Sequence, residues 1–419
     1  MLSDEVIDKV IERLVRRIEI GNEYVLKEIG KSIKKIGTLS PSKAHQLVQI
    51  LRYGGDYDKI VRKLAKITEI NIKDIYKIFR AVAKKNYEFS EQFYKYRNKK
   101  FIPYEQTALK QQVDALATTT AKEYQNLTNT MAFVSHDKSG KVVYNSLAQT
   151  YQNTLDEAVL NVGQGKETFD NAVYRMIKEL AESGIRTVDY ENGRSMRLDS
   201  ALRMALQGGI RDMHNEMQQQ LGKEFGADGV EISAHFNPAP DHAEVQGRQF
   251  TINQYDENGN LIKEGEFEKF QNDEDAVSYD GIKFSAISEE TGHDRRSISQ
   301  YNCRHYIFSI VLGVNKPRYS NEKLQQIIDI NNKGFDYKGK HYKTLYEGQQ
   351  MQRKMELEIR KQKDLQIIAR ASNDEKALYE SQTNINRLTK EYKEFSKASG
   401  LPVKVDRLRV PSYKRVAIQ

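Results

Sequence analysis

Five of the chain's eight histidines, His214, His235, His242, His293 and His305, fall between positions 214 and 305, and the single cysteine, Cys303, stands two residues before the last of them. Imidazole nitrogens and thiolates are donors that zinc accepts, so His235, His242, Cys303 and His305 form a candidate metal-ligand set. Their spacing is not that of a zinc finger, and the site exists only if the fold brings all four together. The alternative is structural: polar side chains hold loops by hydrogen bonding to backbone, with Arg304 pairing to Asp241 or Glu244. A nucleophilic Cys303 activated by His305 and oriented by Asp241 or Asn302 fits less well, because a catalytic cysteine and histidine normally come from separate elements. Cys303 then reads as a small buried residue leading into an apolar strand over Tyr306 to Leu312.

Composition narrows the chemistry. A lone cysteine excludes an internal disulfide and every zinc site built on two or more thiolates. Neither a Gly-x-x-x-x-Gly-Lys-Ser/Thr loop nor a Gly-x-Gly-x-x-Gly after a strand is present, so nucleotide hydrolysis and dinucleotide binding have no support. With 419 residues, 38% hydrophobic and 30% charged, the chain has enough apolar area for two or three domains, while much of it must form solvated helix faces. A net charge of +8 permits anionic partners without one basic block dominating. No apolar run approaches the roughly 18 residues of a membrane span. The first 20 residues carry charges every few positions, unlike the apolar core of a signal peptide.

The elements around the histidines follow from periodicity. Ile7, Val10, Ile11, Leu14 and Ile18 repeat at three and four, which predicts an amphipathic helix. Ile60 to Ile67 and Ile75 to Val82 predict two more, separated by a turn at Glu69 to Asn71 with Asn71 as cap. Between 105 and 225 the pattern predicts helical hairpins, broken at His136 to Gly140 and Gly163 to Gly165, with a short strand near Arg186 to Tyr190. Asp199 to Phe225 predicts a helix in which Gly208 and Gly209 mark a kink or a tight crossing. From 229 to 318 the period shortens to that of strands, with a hairpin of Phe250 and Ile252 against Leu261 to Lys263, turning at Asn258-Gly259 with a somewhat long loop. A second small hairpin is predicted over 335–342. After it comes a long charged helix, then a capping box at Ser372 and Glu375 opening a helix along Leu378, Ile385, Leu388, Tyr392 and Phe395 that Gly400 and Pro402 stop. Pro402 to Val410 alternates apolar with mostly basic residues, as an edge strand or docking arm would.

The motif His235-x6-His242-Ala243-Glu244-x-Gln246-Gly247, followed by Asn302-Cys303-Arg304-His305 and Gly313 to Pro317, resembles the phage minor capsid protein family of Gram-positive tailed bacteriophages, distantly similar to the Mu-type head-morphogenesis group. The likeness is strongest over 185–320. The chain departs from the family pattern at Ala239-Pro240-Asp241, where an arginine is usual, and at Val245, where an aromatic is. The resemblance implies a structural virion protein, assembled in the host cytoplasm with portal protein and major capsid protein, near the portal vertex or carried in the head beside packaged DNA. His235, His242, Gln246, Gly247, Cys303, Arg304 and His305 are then the structural motif, and no enzymatic activity or cofactor is implied.

The expected architecture is predominantly helical α+β, with long helices flanking a small central α+β module of short strands. Its regions are an N-terminal helical region (1–130), a helical hairpin region (131–228), the central module (229–320) and a C-terminal helical arm (321–419). The expected function is that of a minor capsid or head-morphogenesis protein. The alternative is a head-carried or injected metal-dependent enzyme acting on nucleic acid or host protein, which zinc at the His/Cys set would serve.

Overall fold

Isoleucine, leucine and valine at helical intervals do form long helices in the computed structural model, which describes residues 4–37, 55–129, 131–136, 142–146, 169–184, 186–188, 195–272, 274–288, 297–298, 303 and 305–416. Helix α1 (Asp4–Gly37) buries Ile7, Ile11, Leu14 and Ile18 on one side, as its spacing requires. Helix α2 (Gly55–Tyr96) runs without interruption through Glu69 to Asn71, where a turn was expected. The reason is tertiary. Asn71 is fully buried, donates to the Leu14 carbonyl at 3.2 Å and meets the Tyr124 hydroxyl at 2.5 Å, so its side chain is satisfied by neighbours instead of capping a helix.

Helix α3 (Leu109–Asn129) leads into strands β1 (Met131–His136) and β2 (Val142–Ser146), and helix α4 (Phe169–Ser183) into β3 (Arg186–Val188) and β4 (Ser195–Arg197). The four strands form one antiparallel sheet in the order β2-β1-β3-β4. This corrects the expectation of helical hairpins throughout 105–225, although the strand at Arg186 is where it was expected. Phe133, Val134, Val142, Val143 and Tyr144 are β-favouring residues on both sides of Asp137 to Gly140, the usual pattern of a hairpin. The expected turns at 137–140 and 163–165 lie outside the described residues. Helix α5 (Leu198–Phe225) is continuous through Gly208 and Gly209.

The central region is built of short elements, β5 (Gly229–Ile232), α6 (Pro240–Ala243), β6 (Gln249–Thr251), β7 (Gln254–Tyr255), β8 (Leu261–Lys263), α7 (Glu266–Gln271), β9 (Ala276–Val277), β10 (Lys283–Phe284) and β11 (Ile307–Ile310). Strands β7 and β8 form a hairpin with the expected turn, Gly259 standing at a φ of +83°, but its first strand is Gln254–Tyr255, and Phe250, expected in it, pairs with Val230 of β5. Then follow α8 (Asn321–Asn332), the hairpin β12 (Phe335–Tyr337) and β13 (Lys340–Tyr342), α9 (Leu345–Ser372), α10 (Glu375–Ser399) and α11 (Val405–Leu408). The cap of α10 is Asp374, which accepts from the Ala377 amide at 2.9 Å, so the expected Ser372–Glu375 box is displaced. Gly400, at a φ of +70°, closes α10 in the left-handed conformation, as predicted. The alternation after Pro402 does not make a strand: Val405 to Leu408 is a short helical turn. The fold class is the expected predominantly helical α+β.

The chain divides into two compact units assembled from interleaved segments: 1–8, 75–120 and 206–350 in one, 9–74, 121–205 and 351–419 in the other. In the first, a three-stranded antiparallel sheet, β11-β5-β6, carries a core of Val230, Ile232, Val245, Phe250, Phe270, Phe284 and Ile298. Helix α5 packs on this sheet: Ser309 Oγ donates to the Gln218 carbonyl at 2.8 Å, and Gly222 leaves the space Ser309 occupies. Gly209 gives the tight crossing expected of it, since a Cβ there would collide with the Thr120 side chain, while Gly208 has room.

In the second unit Gly30 lets α1 approach α9, where a Cβ would lie 2.9 Å from the Ile368 carbonyl oxygen. This unit also buries a charge network. Arg360 contacts Asp199 at 2.5 Å and Glu19 at 3.4 Å, Arg197 contacts Asp364 at 3.1 Å, and Arg203 is bidentate on Glu12 at 2.9 and 3.0 Å.

Candidate functional site

Strand pairing assembles the histidine and cysteine motifs. β5 and β11 are antiparallel neighbours with Ile232 opposite Ile307, and the pairing continues past the strands. The Ser233 amide donates to the Tyr306 carbonyl, and the Tyr306 amide donates to Ser233 Oγ, each at 2.9 Å. The chain leaving β5 and the chain entering β11 therefore lie side by side. That places His235 beside His305, with ring centroids 4.7 Å apart.

From His235 the chain reverses through Asn237, at a φ of +56°, into α6, whose first residue, Pro240, suits a helix start because it has no amide hydrogen to leave unpaired. Helix α6 carries Asp241 and His242, and Gly247 closes the loop. The Gly247 amide donates to the Ile232 carbonyl at 3.0 Å. Its φ is +71°, and a Cβ would sit 2.5 Å from a Leu324 methyl, so both conformation and space call for glycine there.

The side chains converge on one sulfur. Cys303 Sγ lies 3.3 Å from His305 Nδ1 and 3.5 Å from His242 Nδ1, and it accepts from the His305 amide at 3.4 Å. All three residues are buried, and their donor atoms fall within 4.8 Å of one another. Of the four expected ligands, His242, Cys303 and His305 are thus brought together among the described residues. His235 stands at the edge, half-buried, with its ring against His305.

Gln246 organises the cluster. Its Oε1 accepts from the His235 amide at 2.8 Å and lies 3.2 Å from His305 Nε2. A backbone amide can only donate, so the atom facing it must be the amide oxygen; His305 must then carry its proton on Nε2 and present the Nδ1 lone pair to Cys303. The cost is visible, since Gln246 Nε2 is buried without a hydrogen-bond partner among the described residues. On His242 the other nitrogen, Nε2, lies 3.7 Å from the Asp241 carboxylate, so Nδ1 is the nitrogen that faces the sulfur.

Several contacts here were not readable from the motif. Arg211 on α5 donates to the Cys303 carbonyl at 3.2 Å, which ties the cysteine segment to the helix. His214, on the same helix, is a structural histidine: Asn86 Nδ2 donates to its Nδ1 at 2.8 Å, and its Nε2 donates to the Ile307 carbonyl at 3.0 Å. Neither partner is near His214 in sequence, so only folding reveals it. Arg304, Asn302 and His293 lie outside the described residues, and with them the expected pairing of Arg304 to Asp241 or Glu244.

Nearby charges serve the sheet. Burial pushes the Glu231 carboxyl up, while donation from Gln249 at 2.7 Å and the Arg318 guanidinium at 3.1 Å pull it back. Arg248 is pushed down by burial, opposed by Asp280 at 3.1 Å.

In the central region the polar residues of the two motifs, His242, Gln246, Cys303 and His305, turn toward one another. The chain belongs to the phage minor capsid protein 2 family, whose sequence model matches residues 2–397, and it has a structural role in the phage particle. No curated protein and no solved structure matches it. Among the described residues no helix is long and apolar enough to cross a membrane.

Proposed function

We propose that the protein is a minor head component that acts at or near the portal vertex, assembles in the host cytoplasm with portal protein and major capsid protein, and lies close to packaged DNA. The family match over 2–397 carries this reading, because it takes in residues of both compact units and not the motif region alone. Two surface features support it. Phe236, Leu261 and Ile262 on the first unit are 72%, 51% and 68% exposed, apolar area suited to another subunit. The net charge of +8 suits a neighbourhood of nucleic acid.

The test is localisation in intact particles, together with heads made without the protein. Extra density at the portal vertex, and defective heads in its absence, are the expected results. Even distribution over the shell, or normal infectious heads lacking the protein, would overturn the assignment.

A further inference from the structure

We propose that His242 Nδ1, Cys303 Sγ and His305 Nδ1 bind a single zinc ion, which locks the central module. The two sulfur–nitrogen separations suit zinc, and all three donor atoms lie within 4.8 Å of one another. Tetrahedral zinc with ordinary zinc–sulfur and zinc–nitrogen lengths separates a sulfur from a nitrogen ligand by about 3.6 Å. The two sulfur–nitrogen distances here are 3.5 and 3.3 Å.

Proton accounting points the same way. Gln246 Oε1 sets the His305 proton on Nε2, so the His305 Nδ1 lone pair faces the sulfur, and His242 presents its own Nδ1 to the same atom. A single cation can take both nitrogens and the sulfur as ligands at once. On binding, Cys303 loses its thiol proton to solvent and coordinates as thiolate, and the His305 amide directed at Sγ at 3.4 Å stabilises that charge. Zinc-bound imidazoles commonly donate their other N–H to an oxygen, as His305 does to Gln246 at 3.2 Å, and the Asp241 carboxylate lies 3.7 Å from His242 Nε2.

The ligands also explain what the ion would do. His242 and Cys303 are 61 positions apart, so one ion ties together the two ends of the segment holding β6 to β10. Closing a long loop in this way restrains the unfolded chain and holds the sheet's connections in register. The proposal concerns the module alone and does not depend on where the protein sits in the head.

The experiment measures metal content in the full-length protein, expressed with zinc and dialysed against metal-free buffer. Wild type should hold about one zinc per chain, a tetrahedral site's stoichiometry. The variants C303S and H305Q should each lose most of it, and chelation of wild type should lower its melting temperature and speed proteolysis between 243 and 302. Cobalt substitution separates site loss from misfolding: wild type should show a sulfur-to-cobalt charge-transfer band that C303S lacks, with far-UV circular dichroism unchanged. Zinc should also protect Cys303 from alkylation. Metal-free wild type of normal fold, equal zinc in wild type and C303S, or a Cys303 that alkylates equally fast with and without zinc would each overturn the proposal.

Discussion

Replacing Glu19 by Gln should stabilise the protein at alkaline pH and leave it unchanged in acid. Glu19 lies in the buried charge network, sharing Arg360 with Asp199. Burial, reinforced by the Asp199 charge, pushes its carboxyl up to about 7 from an ordinary 4.5, against the pull of Arg360 and Arg203. A raised carboxyl pKa means that folding favours the protonated form. Its contribution is complete below pH 4.5 and is lost as pH rises through 7. A displacement of that size corresponds to about 3 kcal/mol. Glutamine resembles the neutral acid and has no proton to lose, so E19Q should match wild type near pH 4.5 and exceed it by up to about 3 kcal/mol at pH 8.5. For a unit of roughly 150–250 residues this is a rise in melting temperature of about 6–12 °C. Thermal melts of both proteins at the two pH values provide the check. An equal shift at both pH values, or a lower melting temperature for E19Q at pH 8.5, would refute the reasoning.

Two further outcomes follow from the packing. Burial alone would raise the Asp199 carboxyl, but Arg360, Arg197 and Arg203 outweigh it and hold it well below the usual range; R360M leaves Asp199 and Glu19 without their shared cation and should cost about 3–5 kcal/mol, read from urea unfolding at pH 7. The adjacent glycines of α5 should respond oppositely to alanine in the same assay: G209A drives a Cβ into Thr120 and should lose about 1–3 kcal/mol, while G208A, with room for a methyl, should gain about 0.5–1 kcal/mol.

The sequence showed its helices where burial follows a local period. Ile7, Ile11, Leu14 and Ile18 declare the inner face of α1 through spacing alone, and Gly400 ends α10 because a left-handed cap favours glycine. It was less informative wherever a distant partner overrode local preference. Asn71 has the chemistry of a cap and stands inside an unbroken helix because Leu14 and Tyr124 take its hydrogen bonds. The strands of 131–146 and 186–197 were largely missed, since runs of three to six residues are stabilised by the neighbours they pair with more than by their own propensity.

The same division applies to the site. Residue identity alone determined that a lone cysteine excludes internal disulfides and multi-thiolate zinc sites, and that a metal held by the His and Cys donors of the motifs would need donors from both the His235 to Gly247 and the Cys303 to His305 stretches. Tertiary structure decided which donors meet. The β5–β11 pairing brings Cys303 and His305 to His242, sets His235 at the edge, and makes Gln246 the residue that orients His305. The physical reason is range: helical periodicity is written within a few residues of chain, whereas a cluster joining positions 242 and 303 exists only after a sheet has closed a loop of some 60 residues.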